Sequence, residues 1–415
     1  MTSPQQLLTR FVKLTDVMNA CVTLSQSTGP TVRKVMQSST GLQTKQKGLC
    51  KYDVCTEADL KIQSTIQHNL KALFPKARVI CEEEDSSIDE SMTPSLQPEQ
   101  VLKTMKRKSY FTPEILSYQA SVRKQGFERY LNDLSKLGEG HFTTSSDFQR
   151  GIRTLNSGFW VDPLDGSSGL AQGHTEHLTC IIGVAVNKRP LLGIIHKPFS
   201  QTRTPGVTVG RTYVGLPESG LFTIENNFSD SGRAIPAKEG AVPHYEAPFS
   251  KEKKPIKPVV CGSHNANQGI MDKLLYSLEP QKVERVAGSG NKFVHMVDGQ
   301  SDFYINLVPG FKHWDMCGSE AILQSRFGLV TDAEQRPLTY DHETSQHTLK
   351  NGIIASRSKR QLAILQGRIE DSLGQSVAQI QRLVATQAEE EKRLKKLLVQ
   401  QNDVEQTRKH LMHSI

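Results

Sequence analysis

No run of this sequence approaches the roughly 20 consecutive apolar residues that cross a bilayer, and its opening stretch MTSPQQLLTRFVKL has no continuous apolar segment of the secretory type. The reading is therefore a protein without a membrane span. Its seven cysteines, at positions 21, 50, 55, 81, 180, 261 and 317, are odd in number and never stand as Cys-x-x-Cys. That spacing argues against a disulfide framework and a structural zinc site, and it points to a reducing, cytoplasmic or connected soluble compartment. Aromatics make up only 6% of the chain and are absent from both basic clusters, Lys103 to Lys108 and Lys251 to Lys257. Neither cluster resembles a stacking platform for single strands, and no DNA partner is expected. Proline is missing beyond about residue 360.

What is present fits a folded body. The chain has 415 residues, 36% hydrophobic and 23% charged, with 30 glycines. That is enough for two packed domains, or one large one with appendages, although a mean hydropathy of −0.44 leaves some segments solvated. The formal charge of +8 suits an anionic substrate, an acidic partner or simple solubility.

Apolar positions at helical spacing from Leu8 to Leu24 predict one helix kinked near Gly29-Pro30, or two short ones, over residues 5 to 36. A second helix is predicted at about 57 to 73, followed by the strand Ala77 to Ile80 and the acidic run Glu82 to Asp85. The pattern weakens from 86 to 157, which looks like an insertion carrying polar helices around 97 to 137 and ending in Gly138-Glu139-Gly140. Strand texture returns at Phe159-Trp160-Val161 and in the pair Leu178 to Val186 and Leu191 to Ile195, turning at Asn187 to Pro190. Strands and helices then alternate as far as Gly352 to Ala355, suggesting layered sheets and helices. Beyond 360, Leu373, Val377, Ile380, Val384, Leu394 and Leu398 predict a long amphipathic helix. Gln387 and Glu391 interrupt its seam, favouring a helix docked on a partner or on its own body over a strong coiled coil.

The chemistry concentrates at strand ends. Asp162 and Asp165 follow the strand Phe159 to Val161, with Pro163 between them removing a donor, so that both carboxylates and the Leu164 carbonyl can converge. Hard oxygen ligands of this kind suit Mg²⁺. Gly166-Ser167-Ser168 then offer backbone N–H groups at a helix start, beside which an anion is stabilised. Glu82 and Asp315 share the same strand-end or helix-start grammar, and together the acids suggest one metal cluster.

The chain resembles the inositol monophosphatase superfamily of lithium-sensitive, metal-dependent phosphatases. The matching runs are Asp53 to Asp59 (DVCTEAD), Val79 to Glu83 (VICEE), Trp160 to Ser167 (WVDPLDGS) and Trp314 to Cys317 (WDMC). Within it, the resemblance is closest to the 3'(2'),5'-bisphosphate nucleotidases, through Ser263-His264, Gly288-Ser289-Gly290-Asn291-Lys292 and Pro309 to Asp315. The resemblance implies a layered α-β-α-β-α sugar-phosphatase fold of the α/β class. It implies two or three Mg²⁺ ions on Glu82, Asp162, Asp165, Asp315 and the Leu164 carbonyl. It also implies that Asp59 and Ser167 act on the attacking water, and that Ser167, Ser263, His264, Gly288, Lys292 and Asp315 bind the substrate. The activity implied is removal of the 3'-phosphate from 3'-phosphoadenosine 5'-phosphate. The implied partition is a metal-binding half at 1–200 holding the insertion, a substrate-binding half at 201–360 and a helical tail at 361–415.

Departures from the family pattern bear on the substrate more than on the metal. Ser167 stands for the usual Thr, Ser168-Gly169-Leu170 for a Lys-Glu-aromatic run, Cys81 and Phe327 for glycines, and Gly262 for Arg. The missing Lys-Glu-aromatic run keeps an inositol phosphate open as the alternative substrate. The tail, which the catalytic fold does not require, keeps open a role as an interaction subunit that meets a protein partner through 361–415. His174 and His177 have ligand-like spacing but no further His or Cys nearby, so they are read as surface residues. Cys55 and Cys81 near the site read as small buried hydrophobes rather than redox switches.

Overall fold

The computed structural model describes residues 13–38, 42–47, 54–83, 94–135, 157–235, 244–246, 259–263 and 269–413. Asp53, Glu84-Asp85, Gly138 to Gly140, the Lys251 to Lys257 cluster and His264 lie outside these residues, as do the first part of the 5–36 segment and both ends of the insertion.

The N-terminal segment forms α1 (Leu14–Ser25) and α2 (Thr28–Met36). The break falls at Gln26-Ser27, before Gly29-Pro30, because Pro30 occupies the first turn of α2, where its missing N–H has no helical acceptor to lose. A hairpin, β1 (Thr44–Gln46) and β2 (Val54–Thr56), leads into α3 (Glu57–Leu73) and β3 (Arg78–Cys81). Helices α4 (Pro98–Arg107) and α5 (Pro113–Ser135) follow, then β4 (Ser157–Asp165) and the single turn α6 (Ser167–Leu170).

A meander completes the first sheet: β5 (Thr179–Val186), β6 (Arg189–Thr204), β7 (Val207–Leu216), β8 (Gly220–Ser229), β9 (Ala234–Ile235) and β10 (His244–Glu246). The order is β10-β8-β7-β6-β5-β4-β3, with β9 beside β8; β3 and β4 are parallel and the other pairs antiparallel. The predicted turn between β5 and β6 is the two residues Asn187 and Lys188, both at positive φ (52° and 62°), the geometry that matches the twist of a tight hairpin. Pro190 belongs to the strand. The boundary placed at residue 200 falls inside β6, and β7 to β10 extend the same sheet, because hairpin-linked antiparallel strands pair with their neighbours.

The second sheet contains β11 (Val259–Ser263), β12 (Lys282–Val286), β13 (Phe303–Asn306), β14 (Leu329–Thr331) and β15 (Ile353–Ser356), ordered β12-β11-β13-β15-β14. Its helices are α7 (Ile270–Ser277), α8 (Ser289–Val297), α9 (His313–Gln324), α10 (Lys359–Leu373) and α11 (Val377–His413).

Strand periodicity explains the layering. Val161, Ile182 and Ile194 face α1 and α3 in one apolar cluster, while their neighbours Trp160, Ile181 and Ile195 face α8 and α9 in another. In the second sheet Tyr304, Ile353 and Ala355 face that same middle cluster, and Phe303, Ile305 and Ile354 face α7, α10 and α11. The stack is α-β-α-β-α.

The expected single tail helix is two helices. Gly374 takes a left-handed conformation (φ 62°) after α10 and ends it. Leu362, Leu365, Ile369, Val377, Ile380 and Val384 are buried against α7 and the second sheet, so residues up to about 384 belong to the body. The middle of the insertion is also packed in. Val101 and Phe111 enter the first apolar cluster, and Arg123 donates to the carbonyls of Pro217 (3.2 Å) and Ser325 (2.6 Å). Phe327, standing for the expected glycine, keeps a left-handed φ of 65° and lies 4.4 Å beneath the Arg123 guanidinium and 5.3 Å from the Tyr130 ring. The insertion thus supplies the packing that offsets the strain of a side chain there.

Candidate active site

The site begins where β3 and β4 run parallel. The Glu82 N–H donates to the Val161 carbonyl (3.1 Å), so that Glu82 continues the ladder and lies level with Asp162. Pairing of β4 with β5 slips between Asp162 and Asp165 because Pro163 has no N–H to donate and Leu164 turns its own N–H onto Asp162 Oδ1 (3.1 Å). The ladder resumes at Asp165 opposite Thr179, and Asp165 Oδ2 accepts from Thr179 Oγ1 and from the Gly290 N–H, both at 2.8 Å. Asp315 is the third residue of α9 and accepts the N–H of Lys312 (2.8 Å), a capping contact.

These acids feel one another. Asp162, 2% exposed, is pushed well above the ordinary carboxylate range, first by burial and then by the charges of Glu82, Asp165 and Asp315. Asp315 is pushed up to about 8 by burial and by Glu82, with Asp165 adding to this and Lys292 opposing it. Buried, mutually repelling carboxylates favour neutralisation by cations or protons. As hard oxygen donors they fit a magnesium-type ion. Among the described residues, no three acids, histidines or cysteines are drawn into a closed ligand group; each carboxylate instead rests on a protein donor.

Two further predicted residues are fixed to β2. Ser167 donates to the Val54 carbonyl (3.0 Å) rather than to Asp59. Asp59, the third residue of α3, accepts from the Thr56 N–H (2.8 Å) and hydroxyl (2.5 Å), leaving its buried Oδ1 without a hydrogen-bond partner. Burial pushes Asp59 up to about 7, against the Thr56 hydrogen bonds and with help from Glu82. Gly166 enters α6 at φ 87°, and an added Cβ there would come within 2.9 Å of the His177 carbonyl, so the turn requires glycine.

The Gly288–Lys292 segment closes the site from the second half. Gly288 (φ 77°) lies so near Asp165 that a Cβ would meet Oδ2 at 2.9 Å. Lys292 is buried at 4% exposure, its Nζ donating to the Gly288 carbonyl (2.7 Å) and standing 5.6 Å from the Tyr304 ring. Its charge faces Asp315. The backbone of Ser263 ends β11 beside β12.

Lys47 is the residue that sequence reading missed. Just after β1, its ammonium pairs with Glu82 (2.7 Å) and with Glu83. Burial alone would lower it, but the Glu82 and Glu83 carboxylates outweigh burial and push it up. Its only local signal is a lysine a dozen residues before Asp59. His174 and His177 stand at the exposed rim beside Glu176 (3.3 and 3.7 Å). The described cysteines 21, 55, 81, 180 and 317 are free thiols, and burial with the Glu83 and Asp59 charges pushes Cys55 up to about 12. A thiol held protonated in this way is a poor redox switch. Among the described residues, no helix is long and apolar enough to cross a membrane.

Comparison with known proteins agrees with this architecture. A rat protein named 3'(2'),5'-bisphosphate nucleotidase 1 is 25% identical over 360 residues, covering 86% of this chain and 93% of the relative. A rat Golgi-resident adenosine 3',5'-bisphosphate 3'-phosphatase is 23% identical, covering 83% and 78%. The crystal structure of the extragenic suppressor protein suhB from Bartonella henselae superposes with a TM-score of 0.53 at 16% identity, over 85% of this chain and 98% of that one, and so shares the fold. The model of the inositol monophosphatase family matches residues 128–371, more than half of the chain. This chain belongs to the inositol monophosphatase family and is a phosphatase.

Proposed function

We propose that the chain removes the 3'-phosphate of adenosine 3',5'-bisphosphate by Mg²⁺-assisted hydrolysis. The observation that carries this reading is the gathering of Glu82 after β3, Asp162 and Asp165 on β4 and Asp315 in the first turn of α9, close enough that the other three charges add to burial in pushing Asp162 up. Lys47 on Glu82 and Lys292 near Asp315 offset only part of this negative charge, and the excess fits a divalent cation paired with an anionic ester. Glu82, Asp162, Asp165, Asp315 and the Leu164 carbonyl would hold the metal. When bound, Mg²⁺ supplies electrostatic clamping of the phosphate, a more acidic water and neutralisation of the leaving oxygen.

The chain's own residues do the rest. Asp59, raised to about 7 and with one oxygen unpaired, is suited to take a proton near neutral pH. Ser167, its hydroxyl proton given to the Val54 carbonyl, presents its oxygen at the start of α6 as an acceptor for the attacking water. Ser263, His264, Gly288 and Lys292 are proposed on the substrate's nucleotide side. For Lys292 the support is electrostatic: its ammonium gives one donor to the Gly288 carbonyl and its charge stays near Asp315.

The nucleotide substrate draws its support from the named relatives. The run Ser168-Gly169-Leu170 favours inositol phosphate as the second reading, because it leaves the site without a basic residue and a ring directly after Ser167. Phosphate release from adenosine 3',5'-bisphosphate, inositol monophosphate and inositol 1,4-bisphosphate, with and without lithium, separates the two. Preference for the nucleotide supports the proposal, and preference for an inositol phosphate overturns its substrate. A role as interaction subunit is compatible with either, since Leu394 and Leu397 on α11 are 60% and 49% exposed.

A further inference from the structure

Lys197 lies on β6 directly opposite Arg211 of β7, so both basic side chains leave the same face of the sheet. Arg211 is paired with Glu225 (3.2 Å). The neighbouring acids are engaged as well: Asp298 accepts from the Tyr213 hydroxyl (2.9 Å), Glu284 pairs with Lys282 (2.5 Å), and Glu176 sits between His174 and His177. Among the described residues Lys197 forms no ion pair. Its ammonium donates to a neutral oxygen, Oδ1 of the buried Asn291, at 2.5 Å. Asn291 in turn donates through Nδ2 to the His177 carbonyl (3.3 Å), which fixes the amide with its oxygen toward Lys197.

A partly buried ammonium carries three donors, and one neutral acceptor satisfies only one of them. Burial lowers its affinity for a proton, with the nearby Asp298 opposing this and Arg211 adding to it. Burial, and after it the charges of Lys197 and His177, lower the affinity of His295 for a proton, with Glu284 opposing them. The cluster is open to solvent at the His177 side chain, which is 39% exposed. Asp298 and Glu176 lie near enough to favour the charged ammonium, but Asp298 holds Tyr213 and Glu176 sits between His174 and His177, so an anion is the partner that would use the remaining donors of Lys197.

Its place relative to the proposed reacting centre is set by one helical step. The Gly290 N–H is bound by Asp165, and the next residue, Asn291, holds Lys197; consecutive Cα atoms are about 3.8 Å apart. Lys197 and Asp165 are thus held by adjacent residues of α8, on the same side of the site.

We propose that Lys197, aimed by Asn291, anchors the second, non-reacting phosphate of a bisphosphate substrate and so sets the preference for bisphosphates over monophosphates. The inference rests on the hydrolytic reading above and names the substrate feature that the site selects. It also gives a source for the basic charge that Ser168-Gly169-Leu170 and Gly262 do not provide.

The test is steady-state phosphate release by the full-length protein with Mg²⁺ on adenosine 3',5'-bisphosphate and on adenosine 3'-monophosphate, which lacks the second phosphate. Lys197→Met is expected to raise the ratio of the two KM values, bisphosphate over monophosphate, by about tenfold, the loss of one charge-assisted contact. Lys197→Arg should keep the ratio near that of the wild type. Lys197→Gln, which retains a donor toward Asn291, provides a second neutral variant if the methionine variant does not fold. A ratio unchanged in the neutral variants, or shifted equally in the arginine variant, overturns the proposal. If the wild type releases phosphate from neither ester, calorimetric binding of adenosine 5'-monophosphate decides separately. Weaker binding in the neutral variants alone supports the anchor while the hydrolytic reading falls; equal binding in all of them overturns the anchor too.

Discussion

The carboxylate of Asp165 accepts the backbone N–H of Gly290 at 2.8 Å, tying the end of β4 in the first sheet to the first turn of α8 between the sheets. The same Oδ2 takes the Thr179 hydroxyl, so one oxygen aligns three elements. Gly288→Ala places a methyl group 2.9 Å from that oxygen at a φ of 77° and should disturb the alignment. The expected outcome is a loss of about 1–3 kcal/mol of stability, because φ 77° with ψ 142° is a conformation that residues with a side chain rarely adopt, and a larger proportional fall in kcat/KM. Urea unfolding alongside phosphate release measures both, and an unchanged kcat/KM would separate the contact from activity.

Behind the site, Arg189 pairs with Glu320 (2.8 Å), and Tyr340 donates to the other oxygen of Glu320 (2.6 Å). Removing one partner of a buried ion pair strands the other, so Glu320→Ala is expected to cost about 3–5 kcal/mol. Urea midpoints at constant m-value check this. A cost below about 1 kcal/mol would show that Arg189 finds another partner.

His196 is fully buried on β6, its Nδ1 beside the Thr212 hydroxyl (3.0 Å), and burial pushes it down to about 3. Its unfolded value is about 6.5, so between pH 6.5 and 3 the unfolded chain binds a proton that the native chain does not. The contribution of this residue to stability is complete above pH 6.5 and falls by about 1.4 kcal/mol per pH unit as acid is added. Unfolding at pH 7 and pH 5.5 should show that loss in the wild type, and His196→Gln should reduce it. Equal pH dependence in both would remove His196 from the account.

Two truncations separate the body from the tail. Deleting residues 388–415 removes a segment in which the side chains from 392 to 397 are exposed, and should leave stability within about 0.5 kcal/mol of the full chain. Deleting 361–415 also removes Leu362, Leu365, Ile369, Val377, Ile380 and Val384 from a closed apolar cluster. At about 2–5 kcal/mol for each large apolar side chain lost, that shorter form should not fold stably. Comparable stability of the two truncated forms would contradict the placement of α10 within the body.

The sequence was most informative where chemistry and local geometry coincide. Asp162-Pro163-Leu164-Asp165 carries its own bulge, since proline breaks the ladder and the flanking acids are thrown to one side. Helix α3 was legible over its whole length, 57 to 73, and Thr56 and Asp59, capping each other reciprocally, fix its start. Long-range relationships were not legible. Lys47 meets Glu82 and Glu83 only through the β1–β2 hairpin, and Lys197 meets Asn291 only because β6 passes α8. Strand β6 itself was seen over about a third of its length, its alternation blurred by Pro190, Pro198 and two register shifts against β7. The break in the tail turned on Gly374, one residue in a helical composition.

The central claim, metal-assisted phosphate hydrolysis at the Asp162 strand end, is tested most directly by phosphate release from adenosine 3',5'-bisphosphate. The comparison is of the wild type and Asp162→Asn, each with and without Mg²⁺. The account predicts release that requires Mg²⁺ and falls at least about 100-fold in a folded Asp162→Asn protein. Equal release by the variant, or release indifferent to Mg²⁺, would contradict it.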